Sequence, residues 1–139
     1  MFAGAGEGLV RRILVVEESG AMRALIGAAL EGLEEKLEID EAESGFAALR
    51  LLPRHAYDLI VTDINMPDIN GLELVSFVKR DPRYRGTPLV IVSTEGSERD
   101  RQKGLALGAD AYLVKPFGAE ELQRLVLDLL SHATRSQRS

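Results

Sequence analysis

The sequence predicts a doubly wound (βα)5 sandwich, three layers deep, with a parallel sheet in the order 2-1-3-4-5. Three observations lead there. Short apolar runs rich in β-branched residues recur five times along the chain. A stretch with helical spacing or helix-boundary residues follows each of them. Most of the runs are nearly continuous, which marks strands covered on both faces. Crossovers between parallel strands are right-handed, so few topologies survive.

The first run, "RILVV" (Arg12–Val16), is a strand. Ser19 offers an N-cap. Met22, Leu25, Ile26, Ala29, Leu30 and Leu33 then recur at the spacing of an amphipathic helix. "LEIDEA" (Leu37–Ala42) alternates, as a strand with one wetter face does. Gly45 to Leu52 is a short helix that Pro53 should stop. "YDLIVT" is the third strand. "PDINGLELVSFVKR" is a turn and a helix bearing Leu72, Leu74, Val75, Phe77 and Val78. The Pro and Gly of "DPRYRGTP" break helix and strand alike. "LVIV" (Leu89–Val92) is the fourth strand. Ser97 to Leu107 is a helix with a thin apolar face and Gly108 as its C-terminal stop. "AYLV" (Ala111–Val114) is the fifth strand. From Gly118 a last helix places Leu122, Leu125, Val126, Leu129 and Leu130 on one side.

Bulk properties narrow the function classes. A chain of 139 residues is the size of one domain. With 45% hydrophobic and 28% charged residues it has a globular composition. A net charge of −5 makes nucleic acid a poor partner for the surface as a whole. The chain has no cysteine, which removes disulfides and thiolate metal sites and fits a cytoplasmic protein. No apolar run approaches the ~20 residues of a membrane span. Residues 1–10 read as a flexible lead-in and 134–139 as a polar, flexible tail.

In a parallel sheet all strands end on one edge, and ligands bind there. After the first strand come Glu17 and Glu18, after the third Asp63, after the fourth Ser93 and Thr94, and after the fifth Lys115 and Pro116. The predicted order makes these strands neighbours, so three carboxylates, hydroxyls and an ammonium would meet. Crowded carboxylates repel unless a cation lies among them. Hard oxygens in a small site suit Mg²⁺, which commonly also holds phosphate oxygens. Lys115 and Ser93 can bind an anion. Asp63 can act as a nucleophile and form an aspartyl-phosphate.

"ILVVEES", "VTDINMPDINGLEL", "LVIVSTE" and "GADAYLVKPF" resemble the signatures of bacterial response-regulator receiver domains, the CheY-like family of flavodoxin-like fold. The resemblance runs from about Arg12 to His132, in the family's order and spacing, and marks a receiver domain over residues 11–133. It implies that Asp63 is the phosphoacceptor. It implies that Glu17 and Glu18 hold Mg²⁺ with Asp63 and the Asn65 backbone carbonyl. Ser93 matches the switch hydroxyl, Lys115 the lysine that reaches the phosphoryl group, and Tyr112 the switch aromatic. The bond before Pro116 matches a cis bond in the family. The fourth helix, fifth strand and last helix match its output face, here with Arg101, Leu105 and Tyr112.

Two departures stand out. The family's acidic pair usually has at least one Asp, most often at the second position, and here both members are Glu. Thr94 stands where many relatives have Ala, and its bulk should slow small molecules approaching Asp63. Asn65 and Glu95 match the chemotaxis regulator itself. The resemblance implies a signalling switch, not an enzyme, as a monomer or weak dimer. Its partners would be a sensor histidine kinase and a downstream protein target, without nucleic acid or membrane. A pseudo-receiver that binds proteins regardless of phosphorylation is the alternative, resting on the Glu17–Glu18 pair. A haloacid-dehalogenase-type phosphatase fits less well, because its acid–base Asp would stand where Asn65 is.

Overall fold

The computed structural model describes the backbone of residues 10–94 and 96–138, with side chains through Ser131. The expected lead-in, apart from Val10, therefore lies outside the described residues, as do Glu95 and the side chains of the tail. The elements are β1 (Arg11–Val16), α1 (Gly20–Glu31), β2 (Leu37–Ala42), α2 (Gly45–Leu51), β3 (Leu59–Asp63), α3 (Gly71–Arg80), β4 (Leu89–Ser93), α4 (Glu98–Ala106), β5 (Ala111–Val114) and α5 (Ala119–Arg138). All strands are parallel, in the order β2-β1-β3-β4-β5. This is the expected doubly wound topology.

Alternation along the strands splits the core in two. Ile13, Val15, Leu59, Val61, Val90 and Val92 face α1 and α5, against Ile26, Leu30, Leu122, Val126 and Leu130. Leu14, Val16, Ile60, Leu89 and Ile91 face the other way, against Ala48, Leu74, Val75 and Val78 of α2 and α3. Each such Val, Leu or Ile side chain contributes about 1.5–3 kcal/mol by leaving water.

Helix starts follow local chemistry. The Ser19 hydroxyl accepts from Met22 N, and Ser44 and Ser97 cap α2 and α4 in the same way. Asn70 and Glu73 form a reciprocal capping box at α3. At the end of α4, Ala109 N donates to the Gly104 carbonyl and Gly108 N to that of Leu105, the two bonds of a Schellman motif. Gly108 supplies the left-handed backbone this needs, with φ +113°.

One expectation requires correction. Leu25 is 53% and Phe77 40% exposed, because both lie at the margins of their helical stripes. Pro53 ends the α-helix as expected: α2 stops at Leu51, and the proline sits in the following 3-10 turn, Leu52–Arg54, whose first positions need no N–H from it. The backbone of the last helix, expected from Gly118 onward, runs from Ala119 through Arg138.

Candidate active site

β1, β3 and β5 deliver three charged side chains to one edge. Glu17, directly after β1, is 2% exposed, and Asp63, the last residue of β3, is 7% exposed. Lys115 follows β5, tied by its N–H to the Ser93 carbonyl at 2.8 Å. Its Nζ donates to Glu17 Oε1 at 2.6 Å and to Asp63 Oδ2 at 3.1 Å. Burial alone would lower the lysine's pKa, but the two carboxylates outweigh it and hold the ammonium above its ordinary value. The Lys115–Pro116 bond is cis.

Backbone groups fix the carboxylates. Asp63 Oδ1 accepts from Ile64 N at 2.7 Å and, at longer range, from Asn65 N at 3.4 Å. Glu17 Oε2 accepts from Ser19 N at 2.9 Å. Gly71 lets α3 approach β3: a Cβ there would fall 2.1 Å from the Asp63 carbonyl oxygen. That contact is with backbone, so nothing can yield cheaply.

Two of the three expected carboxylates come together. Glu18 is exposed, and no group of three or more acidic or histidine side chains with metal-binding geometry occurs among the described residues. The reason is local. Glu17 turns inward to Lys115 and the Ser19 amide, and its neighbour is left on the outer side. The donor set still fits Mg²⁺, whose protein ligands are commonly one or two carboxylates with waters and phosphate oxygens. Glu17 and Asp63 already share one cation, the Lys115 ammonium, so their oxygens lie within reach of a common centre.

The remaining expected residues are close to the edge or on the adjoining face. Ser93 is fully buried at the end of β4, beside β5 in register with Val114. Thr94 is exposed. Tyr112 is half-buried, opposite Ile91 in register. Its ring lies beside α4, where a Cβ on Gly104 would sit 3.5 Å from Tyr112 Cδ2. Arg101 is exposed and paired with Glu98 at 3.2 Å, whereas Leu105 is partly buried against the core. Glu95 lies outside the described residues. The same face also exposes Leu107 and Val114, at 39% and 42%, which helical and strand periodicity did not single out.

Two further residues support the site. Arg23 of α1 donates to the carbonyls of Glu17 at 2.7 Å and Glu18 at 3.1 Å, and to Glu41 at 2.8 Å. It clamps the β1–α1 loop. Asp68 accepts from Gly45 N at 3.0 Å, Phe46 N at 2.9 Å and Ile69 N at 2.7 Å. It fastens the loop after Asp63 to the start of α2. Partial desolvation works against the Asp68 carboxylate, but these N–H donors bring its pKa down to about 2.

Comparisons with known proteins agree with this architecture. Residues 13–127 match the family model described as response regulator receiver domain. The chain is 37% identical over 120 residues to a chemotaxis protein CheY homolog of Campylobacter jejuni, covering 86% of this chain and 92% of the other. It is 41% identical over 120 residues to a probable transcriptional regulatory protein of Picosynechococcus, covering 80% of this chain but 45% of that longer protein. The solved Mn²⁺-bound form of response regulator Rcp1 superposes with a TM-score of 0.74 at 26% identity, over 87% of this chain and 92% of that one. Sheet order, the Glu17–Lys115–Asp63 cluster and these matches agree, and the chain belongs to the response-regulator receiver-domain family.

Proposed function

We propose that this domain is a phosphorylation-dependent switch of the chemotaxis type, acting in the cytoplasm. The observation that carries the reading is the Lys115 ammonium joined to both Glu17 and Asp63 at the C-terminal edge of the sheet. A carboxylate oxygen of Asp63 attacks the phosphorus of a histidine kinase's phosphohistidine. The O–P bond forms as the P–N bond breaks, and the electron pair returns to the imidazole. Glu17, Asp63 and the Asn65 carbonyl, with Glu18 at the rim, would hold Mg²⁺, which when bound offsets the charge on the phosphoryl oxygens.

Lys115 then exchanges its bond to Asp63 for one to a phosphoryl oxygen. Ser93 donates its hydroxyl to another, and the β4–α4 loop follows. Thr94, on that loop, narrows the approach to Asp63. Tyr112 turns inward and changes the face made by Arg101, Leu105 and Tyr112 on α4 and β5, continued by α5. That face binds a downstream protein in one state better than in the other.

One observation favours a second reading. Among the described residues two carboxylates meet, and Lys115 already spans them, so a pseudo-receiver could keep this arrangement without phosphate. Amide NMR spectra with Mg²⁺ alone, and with Mg²⁺ plus beryllofluoride as a phosphoryl mimic, separate the two. The switch reading expects shifts around Asp63, Ser93 and Tyr112 and along α4 and α5 in the wild type but not in Asp63→Asn. Spectra unchanged by either addition would leave the pseudo-receiver.

A further inference from the structure

The end of the sheet opposite the acceptor edge carries a second surface. Two shallow depressions adjoin there, of ≈ 350 and ≈ 370 Å³. Pro53, Arg54 and His55 line the first together with Arg83 and Tyr84. Phe77, Arg80, Asp81 and Pro82 line the second. The Phe77 and Tyr84 rings join them, with centroids 6.2 Å apart, and the Arg83 guanidinium stacks 4.8 Å above Tyr84. Phe77 is 40% exposed.

Charge and burial are mismatched at this patch. Arg54, Arg80, Arg83 and Arg85 are all exposed. Asp81 is the only carboxylate in the two linings, and Arg83 takes it at 2.9 Å. Among the described residues no carboxylate pairs with Arg54, Arg80 or Arg85. Yet the chain as a whole has a net charge of −5. Helix dipoles account for Arg80, in the last turn of α3, and in part for Arg54. They do not account for Arg83 and Arg85, which lie beyond the helix, or for an exposed aromatic ring among cations.

We propose that this patch docks an acidic segment of a partner protein, one that sets an apolar side chain on Phe77 and its carboxylates on the surrounding arginines. Guanidinium groups match carboxylates geometrically. The aromatic pair provides the apolar centre, and the arginines provide a charged rim. Single-stranded nucleic acid fits less well, since the Tyr84 ring already carries Arg83 and offers a base little open face. The site lies at the N-terminal ends of the strands. It is therefore separate from the acceptor edge and from the α4–β5–α5 face, and both ends can be occupied together.

The test is a titration of the ¹⁵N-labelled protein with a synthetic peptide of glutamates interrupted by leucine and phenylalanine. Shifts are expected at residues 52–56 and 76–85, with binding that weakens as salt rises. The triple variant Arg54→Glu/Arg80→Glu/Arg85→Glu should lose about tenfold or more in affinity. Phe77→Ser should weaken binding while leaving its salt dependence intact. Circular dichroism and Tm establish that both variants, which change exposed positions, remain folded. Four results would each overturn the proposal. One is no localised shift at millimolar peptide. Another is shifts confined to the acceptor edge. A third is a patch that binds oligo-dT but not the peptide. The last is sedimentation showing that a second copy of the chain occupies it.

Discussion

Replacing Lys115 by Gln tests the electrostatics of the sheet's C-terminal edge directly. The lysine, Glu17 and Asp63 side chains are only 11%, 3% and 10% exposed. The two bonds to Nζ, 2.6 and 3.1 Å long, keep the carboxylate oxygens within about 6 Å of each other. At an effective dielectric of about 20, two unit charges about 5.5 Å apart repel by about 3 kcal/mol. The variant loses both attractions and keeps that repulsion, so it should lose about 3–5 kcal/mol of stability. Asp63→Asn behaves differently. It removes one attraction and the repulsion together and leaves Lys115 paired with Glu17, so its change should stay within about 1–2 kcal/mol. Urea unfolding in a chelating buffer at neutral pH measures both. A Lys115→Gln protein within about 1 kcal/mol of wild type, or an Asp63→Asn protein equally damaged, would refute a buried ammonium shared by two carboxylates.

Other perturbations have definite expected outcomes. Gly71→Ala would place a methyl 2.1 Å from the Asp63 carbonyl oxygen and 2.7 Å from Ile64 Cα; it should cost about 2–4 kcal/mol and slow phosphorylation, and an unchanged Tm would contradict this. Asp68 has a folded pKa of about 2 against an ordinary 3.8, so its stabilising contribution is complete above the ordinary value and lost as pH falls toward the folded one. Asp68→Asn should therefore lose stability less steeply over that window in acid unfolding curves, and parallel curves would exclude the role. Arg23→Met strips its donors from two backbone carbonyls; amide exchange at residues 17–19 should accelerate and stability fall by about 1–3 kcal/mol, whereas unchanged protection would show that the loop holds itself.

Much of this architecture was legible because parallel strands advertise themselves. "ILVV", "LIVT" and "LVIV" are continuous apolar runs, and the residue after each must lie on one edge. That logic placed Glu17, Asp63, Ser93 and Lys115 at the strand ends, where the structure has them. It does not fix where Glu18 points, because neighbouring side chains diverge, and the structure leaves that side chain exposed beside Glu17. Asp68 and Arg23 were illegible for a different reason. Asp68 meets amides 22 and 23 residues away, and Arg23 meets carbonyl oxygens, which every residue possesses. No spacing rule signals a side chain that recognises backbone. Leu25 and Phe77 belong to their helical stripes by spacing, but a stripe has margins, and exposure there depends on what packs alongside.

The Lys115 bridge also bears on the order of assembly. It spans 98 residues to Glu17 and 52 to Asp63, among the most non-local contacts the domain makes. Loop closure on that scale comes late. While the chain emerges from a ribosome, β1 and β3 can pair and bring Glu17 and Asp63 together before their shared ammonium exists. The repulsion between the two acids then opposes early closure of that edge. Arrival of β5, with α5 sealing the adjoining core, brings the ammonium that relieves it. An unfinished chain would thus hold a misassembled edge, and under the proposed function competence for signalling would arrive only with complete folding.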